Sequence, residues 1–177
     1  ISFYGRLNYS YAGKYLLTVN GRRDGSSKLN PDDRWIVYHS EALAWRISEE
    51  NFMKNSKLFS DLKLRGGYGI TGQQDGIGNY SYLARYNISN NAATYQLGNT
   101  FYNMYRPEAY NPFLKWEQTT STNIALDFGL WNNRVTGSAE VYKKETKDLL
   151  NNVGVAAGAN FAPEMLANVG LMVNKGI

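Results

Sequence analysis

A single histidine and no cysteine leave this chain few groups for nucleophilic or metal chemistry. A catalytic or metal role for His39 would need partners of the right type brought near it in space, and no local motif supplies them. His39 is therefore read as a structural or rim residue. The stretch Asp24-Gly25-Ser26-Ser27-Lys28 has the composition of a phosphate loop. It lacks the Gly-x-x-x-x-Gly-Lys spacing and a following helix, so it reads as a strand-end turn. The absence of cysteine rules out disulfides and thiolate metal sites, and nothing in the chain calls for a cofactor. What remains points to binding. Tyr95, Phe101, Tyr102, Tyr105 and Tyr110, with Arg106 among them, crowd into one polar segment. Aromatic faces there suit stacking on sugar rings or packing against a lid protein; loop self-packing and membrane-rim belt residues are the competing readings. Tyr95, Phe101, Tyr102, Tyr105 and Arg106 are taken as the substrate-binding candidates. Arg6, Arg22, Lys63 and Arg65 form a second set, suited to an anionic ligand or to ion pairs with a neighbouring domain, although a solvated wall is the preferred reading.

The elements that must position these residues are written in the alternation of apolar and polar side chains. Phe3, Gly5, Leu7, Tyr9 and Tyr11 share one face of a strand; Tyr4, Arg6, Asn8 and Ser10 share the other. A tight turn at 12–14 leads back through Tyr15, Leu17, Val19 and Gly21, with Thr18, Asn20 and Arg22 opposite. A polar loop at 24–34 precedes a strand over 35–47. Ser48 is the expected N-cap for a helical turn around 51–55. The strand over 61–71 alternates most cleanly: Leu62, Leu64, Gly66, Tyr68 and Ile70 against Lys63, Arg65, Gly67, Gly69 and Thr71. A charge beside each leucine fits a sheet with one wet side. A connection over 72–115 follows, too long for an ordinary compact domain. Strands over 116–130 and from 135 towards 149 flank a turn at Asn132-Asn133. A third loop covers 151–167, and a further strand begins near Asn168.

The connections at 12–14, 48–60 and 131–133 are compact, and those at 24–34, 72–115 and 151–167 are open and polar. Short turns at one rim and long loops at the other are the pattern of an outer-membrane β-barrel. The bulk composition agrees. The mean hydropathy is −0.47, and no apolar run approaches the roughly 20 residues of a membrane helix. Barrel strands need only about 9–11 residues and hide half of them from lipid. The 14 tyrosines suit a membrane–water interface. The net charge of +4 is scattered, with no focused stripe for nucleic acid. The expectation is an all-β chain, a partial wall of six to seven antiparallel strands from a larger transmembrane barrel. Both ends fall inside strand-like patterns, so the remaining wall is expected from sequence outside the chain.

Several segments are more specific than periodicity. They include Tyr15-Leu16-Leu17-Thr18 with Arg23-Asp24-Gly25-Ser26-Ser27-Lys28, and Trp45-Arg46-Ile47-Ser48-Glu49-Glu50 with Phe52-Met53. Leu62-Lys63-Leu64-Arg65 runs into Tyr68-Gly69-Ile70-Thr71-Gly72-Gln73 and then Gly76-Ile77-Gly78-Asn79-Tyr80. Later come Asn111-Pro112-Phe113-Leu114-Lys115-Trp116-Glu117 and Asp127-Phe128-Gly129-Leu130 with Asn133-Arg134-Val135-Thr136-Gly137. In order and spacing these resemble the SusC/RagA family of TonB-linked outer-membrane proteins of Bacteroidetes, along almost the whole chain. The resemblance implies a 22-stranded barrel plugged by an N-terminal domain. It implies import of glycans or peptides, a SusD-like surface lipoprotein as lid, and energy delivered through TonB. On that reading residues 1–177 belong to a single TonB-dependent receptor β-barrel domain whose plug and remaining strands lie outside this chain. The partners implied are that lipoprotein, TonB, outer-membrane lipid and the solute, and no enzyme activity is expected. Glu41 departs from the family pattern, and on a lipid-facing strand it should sit near a rim or pair with a neighbour. The alternatives are a soluble β-sandwich adhesin or binding domain, with strands of about 5–6 residues and similar loops at both ends, and a barrel-embedded hydrolase, for which His39 is the one basic partner offered.

Overall fold

The structure, a computed structural model, describes residues 1–90, 92–159 and 162–177. Seven strands form one antiparallel sheet: β1 Ser2–Tyr11, β2 Tyr15–Gly25, β3 Trp35–Arg46, β4 Phe59–Gln73, β9 Glu117–Leu130, β10 Val135–Lys147 and β13 Leu171–Gly176. They pair in chain order. Three pairs of small strands are inserted at one rim: β5 Tyr86–Ile88 with β8 Tyr105–Pro107 and β6 Thr94–Leu97 with β7 Thr100–Asn103 after β4, and β11 Leu150–Gly154 with β12 Glu164–Asn168 after β10.

The sheet is a single layer, and its two faces differ in chemistry. The register sets Leu7, Val19 and Glu41 in one row and Tyr9, Leu17 and Leu43 in the next. Across the sheet the same face carries Leu64, Ile124, Leu126, Ala139 and Val141. Phe3, Leu7, Leu43 and Ile124 on this face are 63%, 63%, 62% and 56% exposed. A soluble sheet would cover such side chains with a second layer; a barrel wall leaves them to lipid. The other face carries Arg6, Asn20, Ser40, Lys63, Arg65, Asp127 and Glu140. Strands β4 and β9 run 15 and 14 residues, well beyond sandwich lengths. The soluble β-sandwich alternative therefore fails on both strand length and layering.

The rims explain the alternation of connections. Between β1 and β2 the central residues Ala12 and Gly13 both have positive φ (52° and 68°), the hand that matches strand twist. Between β9 and β10 the same turn is made by Asn132 and Asn133 at 57° and 59°, a residue type that tolerates this region. Ser60 bulges out of β4, and its hydroxyl donates to the Gly129 carbonyl and accepts from the Asn133 amide, fastening that turn. The helical turn of the β3–β4 connection lies earlier than the sequence implied, at Ile47–Glu49. Ser48 does not cap it; its hydroxyl donates to Asp61 instead, at 3.2 Å. The segment 51–55 is held as hydrogen-bonded turns, with the Met53 and Lys54 amides on the Glu50 carbonyl. The strand expected from Trp116 begins at Glu117, because Trp116 is buried in a loop core described below. The loop expected at 151–167 contains the β11–β12 hairpin, and that expected at 72–115 contains two.

Candidate functional site

Two regions hold the residues singled out in the sequence. The first is the arm in the long β4–β9 connection. Tyr95 and Tyr102 are register partners on β6 and β7, with ring centroids 6.2 Å apart. Phe101 pairs with Gln96 and lies on the opposite face of that hairpin. Tyr105 and Arg106, consecutive on β8, also take opposite faces, against Ile88 and Asn87. The Ser89 amide donates to the Met104 carbonyl and the Met104 amide to the Ala93 carbonyl, so the two hairpins run on as one ribbon. The five candidates share this arm but not one surface: Tyr95 and Tyr102 converge, and the others ring the ribbon. All five are exposed, and Tyr110 lies at the base, also exposed. The arm thus displays aromatic rings on both of its faces.

The second region is the polar face of the wall. Asp127 on β9 accepts from Lys63 at 3.0 Å and from Arg65 Nε at 3.1 Å. Arg65 reaches on to Glu140 of β10 at 3.2 Å, and Asn123 donates to the other Glu140 oxygen at 2.7 Å. Arg22 is held by Asp24 at 2.7 Å. Three of the four basic residues named from the sequence thus spend their charge within the wall. Arg6 differs: its Nε donates to the neutral Asn20 Oδ1 at 2.6 Å, and it makes no ion pair with a described residue. The sequence could not sort these four, because the sorting depends on cross-strand register.

His39 stands on the apolar-face side of β3 with its ring 5.9 Å from that of Tyr68. Among the described residues no group of three or more His, Cys, Asp or Glu converges on a point. Glu41 lies half-buried on the lipid side between Val19 and Tyr68 and has no ion pair with a described residue. At and above its row the same face turns mostly polar, with His39, Thr120, Thr122, Lys143 and Glu145. Glu41 therefore marks the upper border of the apolar band. Asp24 to Lys28 closes as a plain turn, the Lys28 amide donating to the Ser26 hydroxyl.

At the opposite rim Tyr11, Tyr15 and Trp45 stack in sequence, each pair of centroids 6.4 Å apart. Such a row is the aromatic girdle of a barrel. Glu50 gathers it, accepting from Lys14 at 2.8 Å, Tyr15 at 2.7 Å and Trp45 Nε1 at 3.2 Å. These bonds, that of Lys14 foremost, hold the Glu50 carboxyl down at about 2.

Comparison with known proteins gives this geometry a family. Residues 1–177 match the family described as TonB dependent receptor-like, beta-barrel. The chain is 48% identical to the TonB-dependent receptor SusC of Bacteroides thetaiotaomicron, over all of this chain and 18% of that protein. It is 44% identical to the TonB-dependent receptor P26 of Formosa agariphila, over 99% of this chain and 17% of that protein. The chain thus spans less than a fifth of the length of these relatives. Its backbone superposes on the RagAB peptide importer in the closed-closed state with a TM-score of 0.85 at 29% identity, covering 98% of this chain and 18% of that one. The open-open state gives 0.80. A single-layered wall with an apolar outer face, a charged inner face, tight turns at one rim and folded loops at the other belongs, with its sequence, to the TonB-dependent receptor-like β-barrel family.

Proposed function

We propose that this chain is a stretch of wall and extracellular loops in an outer-membrane importer of the SusC/RagA kind. The parent protein takes up oligosaccharides or peptides too large for porins, by transport and without covalent chemistry. The solute is captured outside under a SusD-like lipoprotein, a plug domain is displaced through TonB, and the solute passes down the lumen. Residues 1–177 contribute part of one barrel domain, whose plug and further strands lie elsewhere in the parent. The carrying observation is the 48% identity to SusC along the entire chain. The exposed arm of Tyr95, Phe101, Tyr102, Tyr105 and Arg106 is the surface proposed to meet solute or lid.

The test uses the full-length protein in its outer membrane. Labelled oligosaccharides and labelled peptides are offered to cells with and without TonB. Uptake of one class that disappears without TonB supports the reading, and co-purification of a surface lipoprotein supports the lid. Uptake of neither class, or uptake indifferent to TonB, overturns it. Tyr95→Ala with Tyr102→Ala is expected to lower solute capture by about tenfold, as removal of a stacking platform does.

A further inference from the structure

Strands β9 and β10 change character in one step on their outward face. The register partners there are apolar from Val135–Leu130 up to Val141–Ile124. The next three outward pairs are Lys143–Thr122, Glu145–Thr120 and Lys147–Gln118. The residues between them belong to the inner face, where Thr146 is 6% exposed and bonds to the Thr119 hydroxyl at 2.9 Å. The long loops lie at this rim, so the step marks the extracellular border of the membrane.

The polar patch carries a surplus cation. The Glu145 carboxylate accepts from Lys143 at 2.9 Å through one oxygen and from Lys147 at 3.1 Å through the other. Its side chain is 23% exposed, against 50% and 63% for the two lysines. The carboxylate thus lies beneath and holds two ammonium groups side by side at the surface. Each ammonium has three N–H donors and spends one on Glu145. Both strands that flank β10 lie within the chain. On this face they set Thr122 and Lys175 against Lys143, and Gln118 and Leu171 against Lys147, none of them acidic. One positive charge is left over, with two threonine hydroxyls and an amide beside it.

Directly below the patch the same face is hollow. A groove of about 600 Å³ is lined by Leu64, Ile124, Leu126, Ala139 and Val141 among others. Ala139 is the small residue in the row of Leu64 and Leu126 and forms the floor. Lys143 stands two residues above Val141, about 7 Å along the strand. An acyl chain seated in the groove therefore brings its headgroup to the lysines.

We propose that this outward face of β9 and β10 holds a phosphorylated glycolipid of the outer leaflet, with its phosphate on Lys143 and Lys147 and one acyl chain in the groove. Lysine binds phosphate as a point charge, and one surplus charge suits a single phosphate. Thr120, Thr122 and Gln118 offer neutral donors and acceptors to the sugar hydroxyls beside it. Groove and bulk lipid are equally apolar, so the groove places the chain while the headgroup carries the preference. The site stands apart from whatever solute the barrel imports.

Full-length protein, stripped of lipid in detergent, is mixed with monophosphoryl lipid A, with lipid A lacking phosphate, or with phosphatidylglycerol. Native mass spectrometry reads the bound fraction. Wild type is expected to hold the phosphorylated glycolipid about tenfold more strongly than the phosphate-free form, and more strongly than phosphatidylglycerol. Lys143→Gln with Lys147→Gln abolishes the phosphate preference. Lys144→Gln, which removes a cation lying over the Tyr142 ring on the inner face, keeps it. Ala139→Leu fills the groove and weakens both glycolipid forms alike. In wild type the preference shrinks as salt is raised, a reading that needs no variant. A wild type indifferent to phosphate, or a double variant that keeps the preference, overturns the site. A preference lost equally in Lys144→Gln is an effect of net charge and overturns it too. Phosphatidylglycerol held as tightly, and released by the same two substitutions, makes the occupant a phospholipid and overturns the glycolipid.

Discussion

At the scale of single residues, Glu50 does the most with the least. It sits beyond the end of β3 and ties the β1–β2 turn through Lys14 to the stacked aromatics Tyr15 and Trp45. The carboxyl is ionised down to about 2, while Lys14 is pushed up by the same hydrogen bond. A carboxyl depressed in the fold stabilises it above its unfolded value of 4.5, and that contribution is lost as pH falls from 4.5 towards about 2. The expected outcome is a wild-type melting temperature that drops through this acid window by more than that of Glu50→Gln, with the two curves differing most above pH 5. Parallel curves would show that Glu50 holds nothing. None of this was legible in the sequence, where Ser48 read as the N-cap of a helical turn around 51–55 and Glu50 had no role of its own. A side chain's partner across a turn is fixed by where the strands stop, and periodicity does not date the last residue of a strand.

Strands are the scale at which the sequence spoke most clearly. Lipid on one side and polar surroundings on the other forbid parity errors, since a one-residue slip exchanges every side chain between faces. Hence Leu62, Leu64 and Ile70 were read correctly against Lys63, Arg65 and Thr71. The long connections were readable only as polar spans. Their hairpins are too short to set up a pattern, and the parting of β3 from β4 above Ser40–Gly69 arises from pairing, which one strand cannot announce alone. The aromatic candidates were likewise legible as a cluster but not as a two-faced ribbon. Parity carries its own prediction. Leu126 lies on the outer face, in one row with Leu64 and Ala139, whereas Ser138 lies on the inner face opposite Asp127. Leu126→Arg is expected to destabilise the barrel in lipid by at most about 2–4 kcal/mol, the full cost of a cation on the lipid face, which falls off towards the rim. Ser138→Arg gains a carboxylate neighbour and should stay within about 0.5 kcal/mol of wild type. Denaturant titrations in bilayers measure both, and the reverse order would mean that the faces are assigned backwards.

Over the whole molecule, the placement of the buried residues inverts the usual arrangement of a domain. The wall has no core of its own. The one cluster of buried apolar residues among those described is Leu29, Ile77, Leu114 and Trp116, with Ile36, Leu150 and Leu166 packed on it. These come from all three long connections and from the top of β3 and the inserted hairpin. Asn168 stitches them further: its side-chain Oδ1 accepts from the Lys115 backbone amide at 2.8 Å, and its side-chain Nδ2 donates to the backbone carbonyls of Lys115 and Asp148, both at 2.9 Å. Asn111 reaches the Leu166 carbonyl at 3.2 Å and Asn30 the Pro112 carbonyl at 3.3 Å. The extracellular loops are thus one folded layer standing on the wall, and the aromatic arm projects from a fixed base. Leu114 is 1% exposed, so Leu114→Ala opens a cavity there and is expected to cost about 2–5 kcal/mol. The cost should fall on the layer and not on the barrel, because the strand ladders do not pass through Leu114. Hydrogen exchange on the full-length protein in detergent separates the two. Amides around 108–117 and 164–168 should exchange faster in Leu114→Ala, while those of β9 and β10 below Thr120 and Glu145 keep wild-type protection. Equal acceleration through β9 and β10 would show loops and wall unfolding as one unit, and the arm would then have no rigid base of its own.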